Sequence, residues 1–243
     1  MLSRRDLLKR GAVAGGTSLV SFSGLFGLRG ALARGNDEGD DVQTILNLAA
    51  TAETLACTLY YAVLTTGEIP FTEVDVFYLT GALDAELQHL EFLNANGGAA
   101  LAEEFYFPPD TFTDLSVFVP VTEALETAFV AAYLAATRRA AELGNPLLAM
   151  TAAQVGAIEA QHLALIRVMG ELQPANNISL AEAKLFNVSD AVPLLLPFIE
   201  GGDDFVGPEP YLGGEEMRNI LGESAIISVL PATDPDAFAA EES

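Results

Sequence analysis

The chain has 243 residues, enough for one well-buried domain with appendages, and 51% of them are hydrophobic. Its 34 acidic residues against 11 basic ones give a formal charge of −23, which argues against nucleic acid as a partner. A lone cysteine, Cys57, excludes an internal disulfide and reads as a small buried apolar residue.

The first element is an export segment. Ser3-Arg4-Arg5-Asp6-Leu7-Leu8-Lys9 looks like the twin-arginine motif, an apolar stretch rich in Gly and Ala follows from Gly11 to Leu28, and Ala31-Leu32-Ala33 offers a small-residue cleavage site. Residues 1–33 are therefore expected to be a signal peptide and 34–41 a linker, which places the mature protein in the periplasm, on the cell surface or outside the cell. Left uncleaved, this segment is the one expected contact with a membrane. No cysteine stands immediately after the cleavage site, so a lipoprotein anchor is not expected. Cleavage leaves 6 bases against 33 acids, a charge of −27, with Lys184 as the remaining lysine. Such a surface suits high salt, where screening reduces self-repulsion; a merely acidic exported protein is the alternative.

Four long helices follow. The apolar pattern and its breakers predict helices over Val42 to Thr66, Thr72 to Asn96, Val121 to Leu143 and Pro146 to Leu172. The first and second pairs are joined by short breaks at Ile69-Pro70 and Gly144-Asn145-Pro146, so the helices of each pair are antiparallel neighbours. Gly97 to Phe118 is different: 22 residues with Pro108 and Pro109 and no sustained period. A connection of that length fits a crossover from one end of a bundle to the other, making helices two and three parallel. Beyond Leu172, Pro193, Pro197, Pro208, Pro210, Pro231 and Pro235 together with two Gly-Gly pairs argue against a long fifth helix. Short helical turns are expected near Leu180 to Phe186 and Glu215 to Leu221, and the apolar stretch Val192 to Ile199 is expected to pack on the bundle or on another subunit.

The two histidines of the chain occupy the same tetrapeptide, Glu86-Leu87-Gln88-His89 and Glu159-Ala160-Gln161-His162. Residues three apart share a helix face, so each tetrapeptide presents a carboxylate and an imidazole to one point. Each also lies 33 residues after a glutamate in an apolar helix, Glu53 and Glu126, with a helix breaker midway. A hairpin turning at that breaker returns both glutamates to one height along the bundle, because both arms rise at about 1.5 Å per residue. The halves match at an offset of 73 residues: Glu53, Thr54, Tyr60, Glu86, Gln88 and His89 fall on Glu126, Thr127, Tyr133, Glu159, Gln161 and His162. This reads as an internal duplication about a two-fold axis with a metal pair on it. Four-helix bundles with a two-metal carboxylate site use this inventory, two Glu-x-x-His helices and one Glu from each of the others.

The bland readings fare worse for these six. Glu53 is the one charged side chain between Asp41 and Glu68, and Glu159 the one acid between Glu142 and Glu171; a buried carboxylate without a partner costs several kcal/mol. Arg138 and Arg139 lie about three turns past Glu126, too far to serve the layer. Glu123 aligns with Ala50 and reads as a helix N-terminal charge, while Asp84 and Glu91 read as solvated. Tyr60 and Tyr133, two turns past their glutamates, either pack in the core or stand beside the metals as hydrogen-bond donors or electron donors.

In these motifs the chain resembles the ferritin-like superfamily of di-iron and di-manganese proteins over roughly Asp40 to Leu172, and within it the exported ferritin-like proteins related to plant desiccation-related proteins. The resemblance implies an all-α fold: a four-helix bundle over 42–172 with the crossover between helices two and three, and an irregular extension over 173–243. It implies two Fe or Mn ions on Glu53, Glu86, His89, Glu126, Glu159 and His162, with Glu86 and Glu159 bridging and Glu53 and Glu126 terminal. The expected activity is redox chemistry on O2 or peroxide, as ferroxidase, peroxidase or catalase-like enzyme, protecting the cell envelope. The alternative is a stress-associated structural or binding protein whose metals hold the bundle. A homo-oligomer is compatible with either.

Overall fold

Four helices carry the architecture of the computed structural model, which describes residues 39–66, 68–222 and 226–238; the predicted signal peptide and residues 34–38 lie outside them. They are α1 (Val42–Thr66), α2 (Glu73–Ala95), α3 (Leu115–Glu142) and α4 (Pro146–Met169). Each starts at a side chain that satisfies backbone N–H groups left open in the first turn. Asp41 Oδ1 accepts from the Thr44 N–H at 2.7 Å. Thr72 and Asp75 form a reciprocal capping box. Asp114 accepts from Ser116 at 2.8 Å, and Asn145 accepts from Leu148 with Pro146 in the first turn behind it.

α1 and α3 are apolar and long enough to span a bilayer by composition. α1 is instead the central helix of this core, buried from Ala49 to Tyr60 without a break. Packing is most extensive between α3 and α4, then between α1 and α2. Gly156 permits the first: a Cβ there would stand 3.0 Å from that of Tyr133. The Arg139 guanidinium reaches the Asp40 carbonyl at 2.7 Å, so the end of α3 lies beside the start of α1 and these two helices run antiparallel. α2 and α3 are thereby parallel, as a crossover requires.

The start of one helix and the content of the crossover differ from expectation. α3 begins at Leu115, six residues before the expected start, because Pro120 is accommodated inside the helix and Asp114 provides the cap. Glu123 is consequently well inside α3, where it pairs with Arg167 of α4. The crossover also contains a strand, β1 (Glu104–Phe107), whose Phe105 and Phe107 are buried. It pairs antiparallel with β2 (Val206–Pro210) in register Glu104 with Pro210 and Phe105 with Glu209. This two-stranded ribbon is a small addition to an otherwise helical chain.

The extension wraps the bundle. A 3-10 turn (Val188–Ala191) and α5 (Val192–Glu200) lay Val188, Ala191, Val192 and Leu195 into the groove between α1 and α3, as the apolar pattern predicted for packing on the bundle. Ser189 N–H donates to the buried Asp40 carboxylate at 2.9 Å, which draws in the stretch read as a linker. Arg138 holds the approach to this turn, its guanidinium 3.7 Å from the centroid of the Phe186 ring. The helical turn expected over Leu180 to Phe186 does not form; with Leu180 and Phe186 exposed, no apolar face docks there to favour one. The other expected turn is α6 (Gly214–Leu221), pinned by the fully buried Met217.

Candidate metal centre

Glu53 comes from the middle of α1, Glu86 and His89 from α2, Glu126 from α3, and Glu159 and His162 from α4, and the bundle brings all six into one layer in which all but the partly exposed His89 are buried. His89 Nδ1 lies 3.3 Å from Glu86, 3.2 Å from Glu159 and 3.6 Å from Glu53. His162 Nδ1 lies 2.9 Å from Glu86 and 3.3 Å from Glu159. The ligand atoms form two overlapping groups, Glu53, Glu86, His89, Glu159 and Glu86, Glu126, Glu159, His162, the atoms of each within 4.8 Å of one another. Each group can hold a metal ion.

The donor set is tested by its own loose ends. One oxygen of each of the four glutamates, Glu53 Oε2, Glu86 Oε1, Glu126 Oε2 and Glu159 Oε1, is buried without a hydrogen-bond donor. The histidines come within ion-pairing distance of three of these, yet not in hydrogen-bond geometry. Buried charged oxygens are costly unless paired or bound to a cation. Four of them facing one small volume fit a divalent cation site.

Tyr60 and Tyr133 complete the layer crosswise. The Tyr60 hydroxyl, on α1, donates to Glu126 on α3, and the Tyr133 hydroxyl, on α3, donates to Glu53 on α1. Both phenols are buried, and Tyr60 also meets His162 edge-on with ring centroids 6.1 Å apart. Burial pushes both phenols well above their ordinary value, with the neighbouring carboxylate charge adding to it, so they stay protonated as donors.

Protons are unevenly distributed over the layer. Burial pushes Glu53 well above the usual carboxylate range, and the charges of Glu86 and Glu159 push further. Glu126 is raised by burial and by Glu159. At His89 burial disfavours the charged ring, but the close carboxylates of Glu159, Glu53 and Glu86 outweigh it; at His162 those of Glu86 and Glu159 do the same. Both imidazoles are held well above their ordinary value. Burial works against charge at Glu86 too, yet the charge of His162 and the close contacts with Glu53 and His89 hold it well below. Cys57, one turn from Glu53, is raised by burial and by Glu86 and Glu53, an inert thiol as expected.

Of the two acids read as solvated, Glu91 is exposed as expected and Asp84 is not. Asp84 is buried, and Arg218 of α6 donates to it at 2.9 Å and to the exposed Glu91 at 2.8 Å. No local signal foretold this, since the arginine lies 134 residues downstream of Asp84.

A four-helix bundle with two Glu-x-x-His helices and one glutamate from each remaining helix has the ligand inventory of two-metal carboxylate bundles and could hold a metal. The profile of the ferritin-like domain matches residues 40–171, more than half of the chain, and the chain belongs to that family. No curated protein and no solved structure matches it.

Proposed function

We propose that this is an exported ferritin-like protein whose bundle holds two Fe or Mn ions and acts on O2 or peroxide at the cell envelope, as ferroxidase, peroxidase or catalase-like oxidoreductase. The observation that carries the reading is the shared membership of Glu86 and Glu159 in both ligand groups, the position of bridging carboxylates, while Glu53, His89, Glu126 and His162 each belong to one. Bound there, the ions would supply two-electron redox chemistry on an oxygen substrate. The chain itself supplies four carboxylates against two divalent charges, a nearly neutral set. Tyr60 and Tyr133 fix the orientation of the two terminal carboxylates. Export rests on Arg4-Arg5 and the apolar run behind them.

The test is metal content per chain by elemental mass spectrometry after native export, beside the double variant His89→Ala, His162→Ala, followed by peroxide loss and Fe(II) oxidation. Close to two Fe or Mn lost in the variant, with turnover above free metal, supports the reading; no bound metal in a folded protein ends it. A second reading, a stress-associated protein with a structural metal site, is favoured by the near-complete enclosure of the four glutamates, none more than 2% exposed. It requires bound metal without turnover.

A further inference from the structure

One face of the metal layer opens on a large chamber. Between α2 and α4, which pack against each other far less than either packs in its own hairpin, lies a cavity of about 740 Å³. His89 and His162 are the members of the ligand layer that line it. The opposite groove, between α1 and α3, is filled by Val188 to Leu195. The chamber is therefore the approach to the layer among the described residues.

Its walls repeat with the 73-residue duplication. Tyr78, Ala82, Ala85 and Phe92 of α2 line it, and so do their equivalents Thr151, Val155, Ile158 and Leu165 of α4. Because α2 and α4 run antiparallel, the chamber extends in opposite directions from the two-fold axis. Tyr78 lies 11 residues before His89, and Thr151 as many before His162; at the helical rise this is about 16 Å to each side. The histidine pair stands at the middle of an elongated space. Over it runs the segment 226–231, tied to α4 by the Gln154 amide to Leu230 and Ala232. Ile227 and Val229 of this strap line the chamber yet remain 89% and 76% exposed.

These features select an occupant. A water takes about 30 Å³ of liquid, so O2 or hydrogen peroxide would leave the space nearly empty, whereas it falls within the roughly 300–1,000 Å³ of organic ligand sites. A path for metal ions in so acidic a chain would be lined with carboxylates. Here Glu91 is the one acid on the wall, and Arg218 holds it. An apolar occupant takes the walls and the strap side chains out of water. The negative charge of the chain favours an uncharged one.

We propose that the chamber binds an uncharged single-chain hydrocarbon molecule, threaded beneath the strap with the middle of its chain at His89 and His162. As a binding site it stands on geometry alone; as a substrate site it rests on the two-metal reading.

Oleyl alcohol below its aggregation limit is the probe, titrated into the metal-free and metal-loaded full chain by calorimetry. Saturable binding is expected in both, weakened at least tenfold by Ala157→Trp, which fills the chamber from an exposed wall position and keeps the melting temperature. In the metal-free protein the ring protons of the two histidines, the only ones in the chain, should show nuclear Overhauser contacts to the middle of the alcohol and not to its methyl end. Absence of saturable binding, contacts to the methyl end alone, binding to phosphatidylcholine vesicles without binding the monomeric alcohol, or self-association that buries Ile227 and Val229 in its place would each overturn the proposal. Metal content is read separately, so a chamber that binds in a protein without metal overturns the two-metal reading and leaves this one standing.

Discussion

The Tyr60 hydroxyl on α1 donates to the Glu126 carboxylate on α3, across the bundle from its own helix glutamate. The duplication makes the same bond in reverse between Tyr133 and Glu53. Each half of the chain thus orients a carboxylate of the other.

Removing either hydroxyl leaves a buried carboxyl oxygen without its donor. Tyr60→Phe and Tyr133→Phe should each cost about 1–3 kcal/mol in the metal-free protein, and similar amounts, since the two sites are equivalent. Urea denaturation checks this. Tyr60→Phe, Tyr133→Phe should also take up metal more slowly, because both terminal carboxylates lose their fixed orientation.

The overlap of the ligand groups gives a stoichiometric test. Glu86 and Glu159 belong to both groups, so Glu86→Ala or Glu159→Ala should lose both ions. Glu53→Ala or Glu126→Ala removes a member of one group and should retain about one ion per chain. Metal titration followed by gel filtration and elemental analysis separates the two classes of variant; equal losses from all four would count against bridging.

Protons and metal compete for the layer. Glu53 and Glu126 are raised from an ordinary 4.5, and His89 and His162 from 6.5, so over that range and above it the folded metal-free chain holds protons that the unfolded chain has released. Its stability should therefore fall as pH rises through the raised values. Glu86, depressed, acts in the opposite sense and only as pH drops below its ordinary value. Metal binding displaces the extra protons, so its affinity should rise with pH and the loaded protein should lack the alkaline decline. Urea midpoints between about pH 5 and 9, with and without Mn(II), give both curves.

Arg218 neutralises Asp84, which is buried. Arg218→Met should cost about 1–3 kcal/mol by removing the guanidinium from that buried carboxylate, and Asp84→Asn in the same chain should recover most of the loss. A double-mutant cycle by thermal melting measures the coupling.

What the sequence made legible was local or repeated. Glu86 with His89, and Glu159 with His162, follow from the helical period, and the 33-residue arms bring in Glu53 and Glu126 because equal arms return to equal height. The seven-residue step from Glu53 to Tyr60 suggested the face of the layer but not the crosswise partner, which depends on how α1 and α3 approach. The expected start of α3 at Val121 lies just after Pro120, which ordinarily marks a first turn, whereas the helix is capped farther upstream at Asp114 and carries Pro120 inside it. The Asp84–Arg218 pair and the β1–β2 ribbon left no trace in local pattern, because each joins segments about a hundred residues apart or more.

That ribbon sets an order of events during synthesis. β1 leaves the ribosome about a hundred residues ahead of β2, an interval of roughly 5–20 s at ordinary elongation rates. Until Val206 to Pro210 arrive, the crossover has an open strand edge beside Phe105 and Phe107, the features that recruit foreign strands and chaperones. Nascent chains stalled before β2 should therefore be the ones that aggregate or are held, although all four bundle helices have already been made.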